Sequence, residues 1–338
     1  MKKLISLICV LAMVLALAAC GSSAPAAATE APAASTEAPA EDVSADKTFV
    51  VGICQLVQHP ALDAATQGFK DALTEALGDK VTFQEQNASG DSATCSLICN
   101  QFVSDGVDLI MANATASIQA AASATNTIPI LGTSITDYGV ALGVDNWTGV
   151  SGTNISGTSD LAPLDGQAAM VQELFPDAKT IGLLYCSGEP NSIFQADSME
   201  VLLTDMGYSV ERYTFADSND VSSVTANACS NSDVLYIPTD NTAASCTEAI
   251  NNVALSAGIP IVAGEEGLAS GCGVATLSIS YYDLGRATGE MAAEILTEGA
   301  DVSTMEVRFA PAFTKEYNAD ICEALNITVP EDYVAIAK

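Results

Sequence analysis

The chain of 338 residues carries 42 acidic against 11 basic side chains, a formal net charge of −31, and only one histidine. Such a surface repels nucleic acid and offers no basic patch to anionic lipid, and a single imidazole leaves little for proton shuttling or zinc ligation. The length suffices for two domains of ordinary size, each with its own core.

The first element is a leader. Met1-Lys2-Lys3 precedes an apolar run from Leu4 to Leu17, which ends in Leu17-Ala18-Ala19-Cys20-Gly21. The run is too short to cross a bilayer, so residues 1–19 read as a secretory signal peptide. Leu-Ala-Ala-Cys resembles the bacterial lipobox, which would make Cys20 the lipidated N-terminus of an exported, membrane-anchored protein. Loss of Lys2 and Lys3 with the leader takes the formal charge from −31 to −33. Attachment would then rest on the lipid chains, at about 0.8 kcal/mol per buried methylene, and not on charge. Residues 20–46 are rich in Ala, Pro, Ser, Thr and Glu, with Thr29-Glu30-Ala31-Pro32 echoed by Thr36-Glu37-Ala38-Pro39. They read as a disordered tether spanning roughly 30 Å.

From Lys47 onward β-rich runs alternate with amphipathic helical stretches, the order of a parallel sheet covered by helices. Strands are expected at Phe49 to Cys54, Val81 to Gln86, Leu109 to Ala112 and Ile128 to Leu131. A second series follows at Thr180 to Tyr185, Ser209 to Phe215, Val234 to Ile237, Pro260 to Ala263 and Val274 to Ile279. One helix begins at Pro60, a favoured first helical residue, and places Leu62, Ala65, Phe69, Ala72, Leu73 and Ala76 on one face. Others are expected over 91–104, 117–124, 165–174, 191–206, 221–228, 243–257 and 284–296. The interval Thr133 to Leu164 breaks the rhythm with Gly, Asn, Thr and Asp, and a lobe boundary fits there. The fold class is therefore α/β, two doubly wound Rossmann-like lobes facing each other across a cleft.

Eight cysteines follow Cys20. Cys95 and Cys99 fall on an apolar stripe with Ile98, Phe102 and Val103. Cys246 falls with Ala249, Ile250 and Val253, and Cys322 with Ile321 and Leu325. They read as small core residues rather than disulfide or metal partners, and neither metal nor cofactor is expected.

Ligands of doubly wound sheets bind beyond the carboxyl ends of strands, which narrows the search to the strand-to-helix loops. The first loop is polar at both ends, with Gln55 and His59, and the third leads into Thr115. The fourth, Thr133-Ser134-Ile135-Thr136-Asp137-Tyr138, supplies Asp137. In the second lobe the loops carry Glu189, Asn191 and Ser192, then Asp240 and Asn241, then Glu265. Thr115, Asn191 and Ser192 at helix N-termini suit a carboxylate, since free N–H groups and the helix dipole point at it. Asp240 or Glu189 would take an ammonium group, which makes a zwitterion the natural ligand. The same residue types are also the commonest helix caps, and His59 is equally placed to cap the helix that starts at Pro60. Tyr138, Phe194 and Tyr236 are candidates for an aromatic wall, or for ordinary core. GxSxG, HExxH, GxxxxGK[ST] and GxGxxG are all absent, so the chain reads as a binding protein and not an enzyme.

Several longer motifs point the same way. Val51-Gly52-Ile53 with Gln55, His59-Pro60-Ala61-Leu62-Asp63-Ala64, Gln86-Asn87-Ala88, Ala114-Thr115-Ala116, Glu189-Pro190-Asn191-Ser192, Pro238-Thr239-Asp240-Asn241 and Tyr281-Tyr282-Asp283-Leu284-Gly285 resemble ABC-transporter substrate-binding lipoproteins of the tryptophan/tyrosine type. The resemblance implies a type I periplasmic-binding-protein fold with a three-crossover hinge. It also implies an aromatic amino acid as ligand, closure of the lobes upon it, and delivery to an ABC permease driven by its ATPase. Crossings are expected near Ser151 to Asp160, Ile279 to Tyr281 and Val302 to Arg308. The first lobe would then be 47–155 with 282–304 and the second 156–280 with 305–338. A sugar or nucleoside ligand on the same fold, or a sensing subunit without transport, are the alternatives. A transcription regulator is disfavoured because no basic helix-turn-helix precedes Lys47.

Overall fold

The computed structural model describes residues 47–310 and 312–337. The expected signal peptide, Cys20 and tether lie outside the described residues. Among the described residues, no helix is long and apolar enough to cross a membrane.

In chain order the first half runs β1 (Phe49–Gln55), α1 (Pro60–Leu77), β2 (Val81–Asn87), α2 (Ser92–Asp105), β3 (Leu109–Asn113), α3 (Thr115–Ala124), β4 (Ile130–Ile135), α4 (Tyr138–Leu142) and β5 (Ile155–Ser159). The second runs α5 (Leu164–Leu174), β6 (Thr180–Cys186), α6 (Pro190–Asp205), β7 (Ser209–Phe215), α7 (Val221–Asn231), β8 (Val234–Ile237), α8 (Asn241–Ala244), α9 (Thr247–Ala257), β9 (Ile261–Ala263), α10 (Glu266–Gly271) and β10 (Ala275–Ser278). The closing segment is α11 (Tyr281–Glu298), β11 (Arg308–Phe309), β12 (Thr314–Tyr317), α12 (Ala319–Ala324) and β13 (Val334–Ala335).

Two sheets result, ordered β11-β5-β4-β3-β1-β2 and β13-β12-β10-β9-β8-β6-β7. All pairings are parallel except β10 with β12. The central strands are fully buried, because helices cover both faces of a parallel sheet. The cysteines among the described residues are free, and all but the half-buried Cys246 are buried in the cores. Cys54, Cys95 and Cys99 pack with Ile98, Phe102 and Ile110, as small apolar groups do.

The chain passes between the sheets three times, after Ser159, between Ser278 and Tyr281, and between Phe309 and Thr314. The first two crossings lie where sequence places them. The third comes later than Val302 to Arg308, and the limits 155/156 and 304/305 each cut off a strand of the first sheet. Ile155–Ser159 pairs with β4, and Arg308–Phe309 pairs with β5. The reason is local composition. Ile-Ser-Gly-Thr-Ser has no apolar run to announce a strand, and its Gly157 is required because a Cβ there would sit 2.0 Å from the Gly132 carbonyl oxygen. The expected helix 243–257 is also divided, at Ser245 and Cys246, into α8 and α9.

Helix α11 returns to the first sheet and lies along α1. The approach is backbone to backbone. A Cβ on Gly285 would fall 2.0 Å from the Ala65 carbonyl oxygen, and one on Gly68 2.0 Å from that of Tyr282. This packing fixes Tyr281, the first residue of α11, at the edge of the first sheet and beside the crossing from β5.

Candidate functional site

The carboxyl ends of both sheets open toward the space between the lobes. At the first sheet's edge the β4–β5 register shifts between Gly132 and Ile135, and Ser134 adopts a left-handed φ of 56°. Next to it Ala114, at the end of β3, has a φ of 88°. Non-glycine residues held there cost on the order of 1–3 kcal/mol each, and such strain clusters at binding sites.

Between the edges lies a cavity of about 10 Å³, room for about one water. Its walls are His59, Leu62, Ser134, Thr136 and Asp160 from one side, Asn191, Thr239 and Asn241 from the other, and Tyr281 from the crossing. Two hydrogen bonds bridge the lobes here. His59 Nε2 lies 3.3 Å from Asn241 Oδ1, and Gln195 Nε2 donates to Thr136 Oγ1 at 3.2 Å. Six buried side-chain polar atoms among the described residues lack a partner, and three of them belong to this wall: His59 Nδ1, Ser134 Oγ and Asp160 Oδ1. Buried polar groups are nearly always hydrogen-bonded, and these three atoms leave the wall open to a polar partner in the cavity.

Asp160 is 4% exposed, and its Oδ2 accepts from the Tyr281 hydroxyl at 2.9 Å. Burial raises its pKa to about 6, against the opposing hydrogen bonds of Tyr281 and Thr136. Burial likewise lowers the pKa of His59, so its ring is neutral. With Asn241 Oδ1 as acceptor, Nε2 carries the proton and Nδ1 is left as a bare acceptor. The cavity thus offers a carboxylate oxygen, an imidazole lone pair and a hydroxyl.

The ten residues expected from sequence separate into groups. His59, Asn191 and Asn241 line the cavity. Glu189 lines an adjoining groove of about 470 Å³, which also includes Asn191 and Asn241. Its oxygens are already taken by the Asn241 and Thr242 backbone N–H groups, at 3.0 and 2.8 Å, and by side chains of Asn191, Asn241 and Thr242. Glu265 borders a second groove of about 300 Å³, and its oxygens accept from the Gly267 and Leu268 N–H groups at 2.6 Å each.

Gln55, Thr115, Asp137, Ser192 and Asp240 line neither the cavity nor these grooves. Gln55 is held by Val57, Asp63 and Thr66, Asp137 caps α4 through Val140 N–H at 2.7 Å, and Thr115 is buried as the first residue of α3. Asp240 accepts from Cys186 N–H at 2.7 Å and Ala243 N–H at 2.8 Å, and Ser192 bonds its carboxylate. The proposed ammonium acceptor is therefore already engaged with backbone. Burial, then the neighbouring Glu189, pushes the Asp240 pKa upward.

The aromatic wall also changes. The Tyr138 hydroxyl lies 3.1 Å from the Gly132 carbonyl and its ring stacks on Trp147. Tyr236 donates to Gln167 Oε1 at 2.5 Å inside the second core, and the half-buried Phe194 lies outside the cavity wall. Tyr281 is the one phenol ring in the wall. Sequence reasoning missed Ser134, Thr136, Asp160, Thr239 and Tyr281. All five stand in segments it singled out, Asp160 at the end of the expected first crossing, where it is a lone acid after the hydroxyl run Ser156 to Ser159.

Comparisons with known proteins identify the family. A profile described as "ABC transporter substrate binding protein" matches residues 50–338. The chain belongs to that family. It is 39% identical over 280 residues to a tyrosine-binding protein of Clostridioides difficile (strain R20291), covering 82% of this chain and 81% of the relative. It is 31% identical to the ABC domain from Streptococcus pneumoniae solved with L-Trp, with a TM-score of 0.80 and coverage of 84% and 97%. It is 38% identical to a substrate binding protein with adhesive properties from Clostridium difficile, solved ligand-free and open. That match has a TM-score of 0.66 and coverage of 86% and 100%. The better superposition on the L-Trp complex, despite lower identity, agrees with the hydrogen bonds that join the lobes. The protein is an extracytoplasmic substrate-binding protein of an ABC transporter with the type I periplasmic-binding fold.

Proposed function

We propose that this substrate-binding protein takes a free aromatic amino acid, tyrosine or tryptophan, between its lobes and delivers it to an ABC permease driven by a cytoplasmic ATPase. The observation that carries the reading is the trio of unpartnered atoms in the cavity wall. An ammonium group has three N–H donors, which suit Asp160 Oδ1 and His59 Nδ1, and a carboxylate suits the Ser134 hydroxyl. The tyrosine-binding relative and the L-Trp complex support the same ligand class. An aromatic side chain does not fit 10 Å³. The adjoining 470 Å³ groove has the size of an ordinary ligand pocket and brings Leu56, Val57, Ala116 and Pro190 to its walls.

Capture would start with the lobes apart. Ligand bound on Asp160 and Ser134 then gains contacts from Asn191, Asn241 and Thr239, and this differential affinity shifts the population toward the joined form. The lipobox-like Leu17 to Gly21 supports anchorage through Cys20, with the signal peptide removed and residues 21–46 as tether.

Isothermal calorimetry tests the ligand class. L-tyrosine or L-tryptophan is expected to bind, and N-acetyl-L-tyrosine, which has no ammonium, is expected to give no heat. Equal binding of the acetylated form, or binding of a sugar or nucleoside where amino acids give none, overturns the proposal.

A further inference from the structure

Asp160 and Tyr281 stand on two different crossings between the lobes, the first following β5 and the second entering α11. Their hydrogen bond, 2.9 Å between Tyr281 Oη and Asp160 Oδ2, ties those crossings together while Oδ1 remains unpartnered in the cavity wall. Both residues are buried, at 4% exposure each. We propose that Tyr281 is a positioning residue for ligand capture: its hydroxyl holds the Asp160 carboxylate ionised, with one oxygen engaged and the other presented to the ligand's ammonium group. The inference rests on the ammonium reading above.

No cation stands in the cavity wall to stabilise a buried carboxylate. The groups facing Asp160 are Tyr281 from α11, Tyr138 from α4, Glu265 beside α10, His59 before α1 and the hydroxyl of Thr136. Tyr138 gives its hydroxyl to backbone carbonyls, His59 is neutral, and Glu265, itself pushed up to about 7 in part by the Asp160 charge, supplies no donor that holds Asp160 ionised. That leaves two hydroxyls beside the residue's own backbone N–H, and the Thr136 oxygen is also engaged by Gln195 from the other lobe. Tyr281 is thus the donor that stays with Asp160 when the lobes separate, since the α1–α11 contact at Gly68 and Gly285 holds it in the first lobe. Without it about half of the carboxyl would be protonated at neutral pH, and its attraction for an ammonium group would be weaker.

The test is the titration of the Asp160 carboxyl, followed by carbon NMR in ligand-free protein, alongside calorimetry with L-tyrosine across pH. In wild type the midpoint is expected near 6. Tyr281→Phe is expected to move it up by about one pH unit, and to weaken L-tyrosine binding about twofold at pH 7 and about fivefold at pH 6, with recovery toward pH 8.5. Replacing Tyr281 with 3-fluorotyrosine, a stronger donor of nearly the same shape, is expected to move the midpoint down; this arm serves if the Phe variant does not fold. An unchanged midpoint in either variant overturns the proposal, as does a binding loss in Tyr281→Phe that is the same at every pH. The ligand-free titration stands whether or not an amino acid binds, so failure of the ligand reading is read separately, from wild-type calorimetry alone.

Discussion

The two sheet edges that face each other hold buried acids in opposite states. On the second-lobe edge Glu189, Asp240 and Glu265 all accept backbone N–H groups at the starts of α8 and α10. On the first-lobe edge Asp160 accepts no helix N-terminus and keeps one oxygen free. Burial of an acid thus marks a scaffold as readily as a site. What separates the two is whether the protein itself fills the lone pairs.

Substitution tests that contrast most strongly at Asp160. Asp160→Asn keeps the shape but removes the charge, and L-tyrosine affinity by calorimetry is expected to fall about a hundredfold or more, with a melting temperature equal to or above wild type at pH 8. The corresponding loss on the opposite edge should strike the fold first. Asp240→Ala leaves Cys186 and Ala243 N–H groups without their acceptor and is expected to cost about 2 kcal/mol of stability by denaturant unfolding. A large loss of affinity in Asp240→Ala with unchanged stability would return Asp240 to the ligand's ammonium group and erase the distinction.

The acids of both edges share one pH signature. Burial raises Asp160 to about 6 and Glu265 to about 7, and pushes Asp240 up as well. Between the ordinary carboxylate range and these values the folded protein holds protons that the unfolded chain has released, so stability falls as pH rises through about 4 to 7. Differential scanning calorimetry should give a higher midpoint at pH 5.5 than at pH 8, by a few degrees. Ligand affinity should run the other way, rising through pH 6 as Asp160 ionises. The smallest expected effect is that of Ser134→Ala, about fivefold in L-tyrosine affinity with the fold intact, since it removes one neutral hydrogen bond to the ligand.

Much of the fold was legible because Val, Ile and Leu runs announce buried parallel strands and Pro60 announces a helix start. Strand β5 was not, since Ser156, Gly157, Thr158 and Ser159 carry no apolar pattern. It is a strand because Gly157 lets β4 approach and the Thr158 hydroxyl meets that of Thr288 on α11 at 2.8 Å. That omission concealed Asp160 as well, which follows directly from β5. His59, Asn191 and Asn241, named from the strand-end loops, line the cavity between the sheet edges. Asp240, Glu189 and Glu265 were chosen by the same rule, and the backbone N–H groups that each accepts became visible only with the helix starts in place.

The sequence by itself determined the alternation of strands and helices, the two lobes and the family. It did so because periodicity and turn chemistry act over a few residues, and the motifs of the family lie in short runs. Only the tertiary structure decided which acid remains open to a guest. Asp240 meets the Cys186 N–H 54 residues away, and Asp160 meets the Tyr281 hydroxyl 121 residues away. A lone pair is filled or left vacant by whichever donor the packing brings to it, and no local pattern records that.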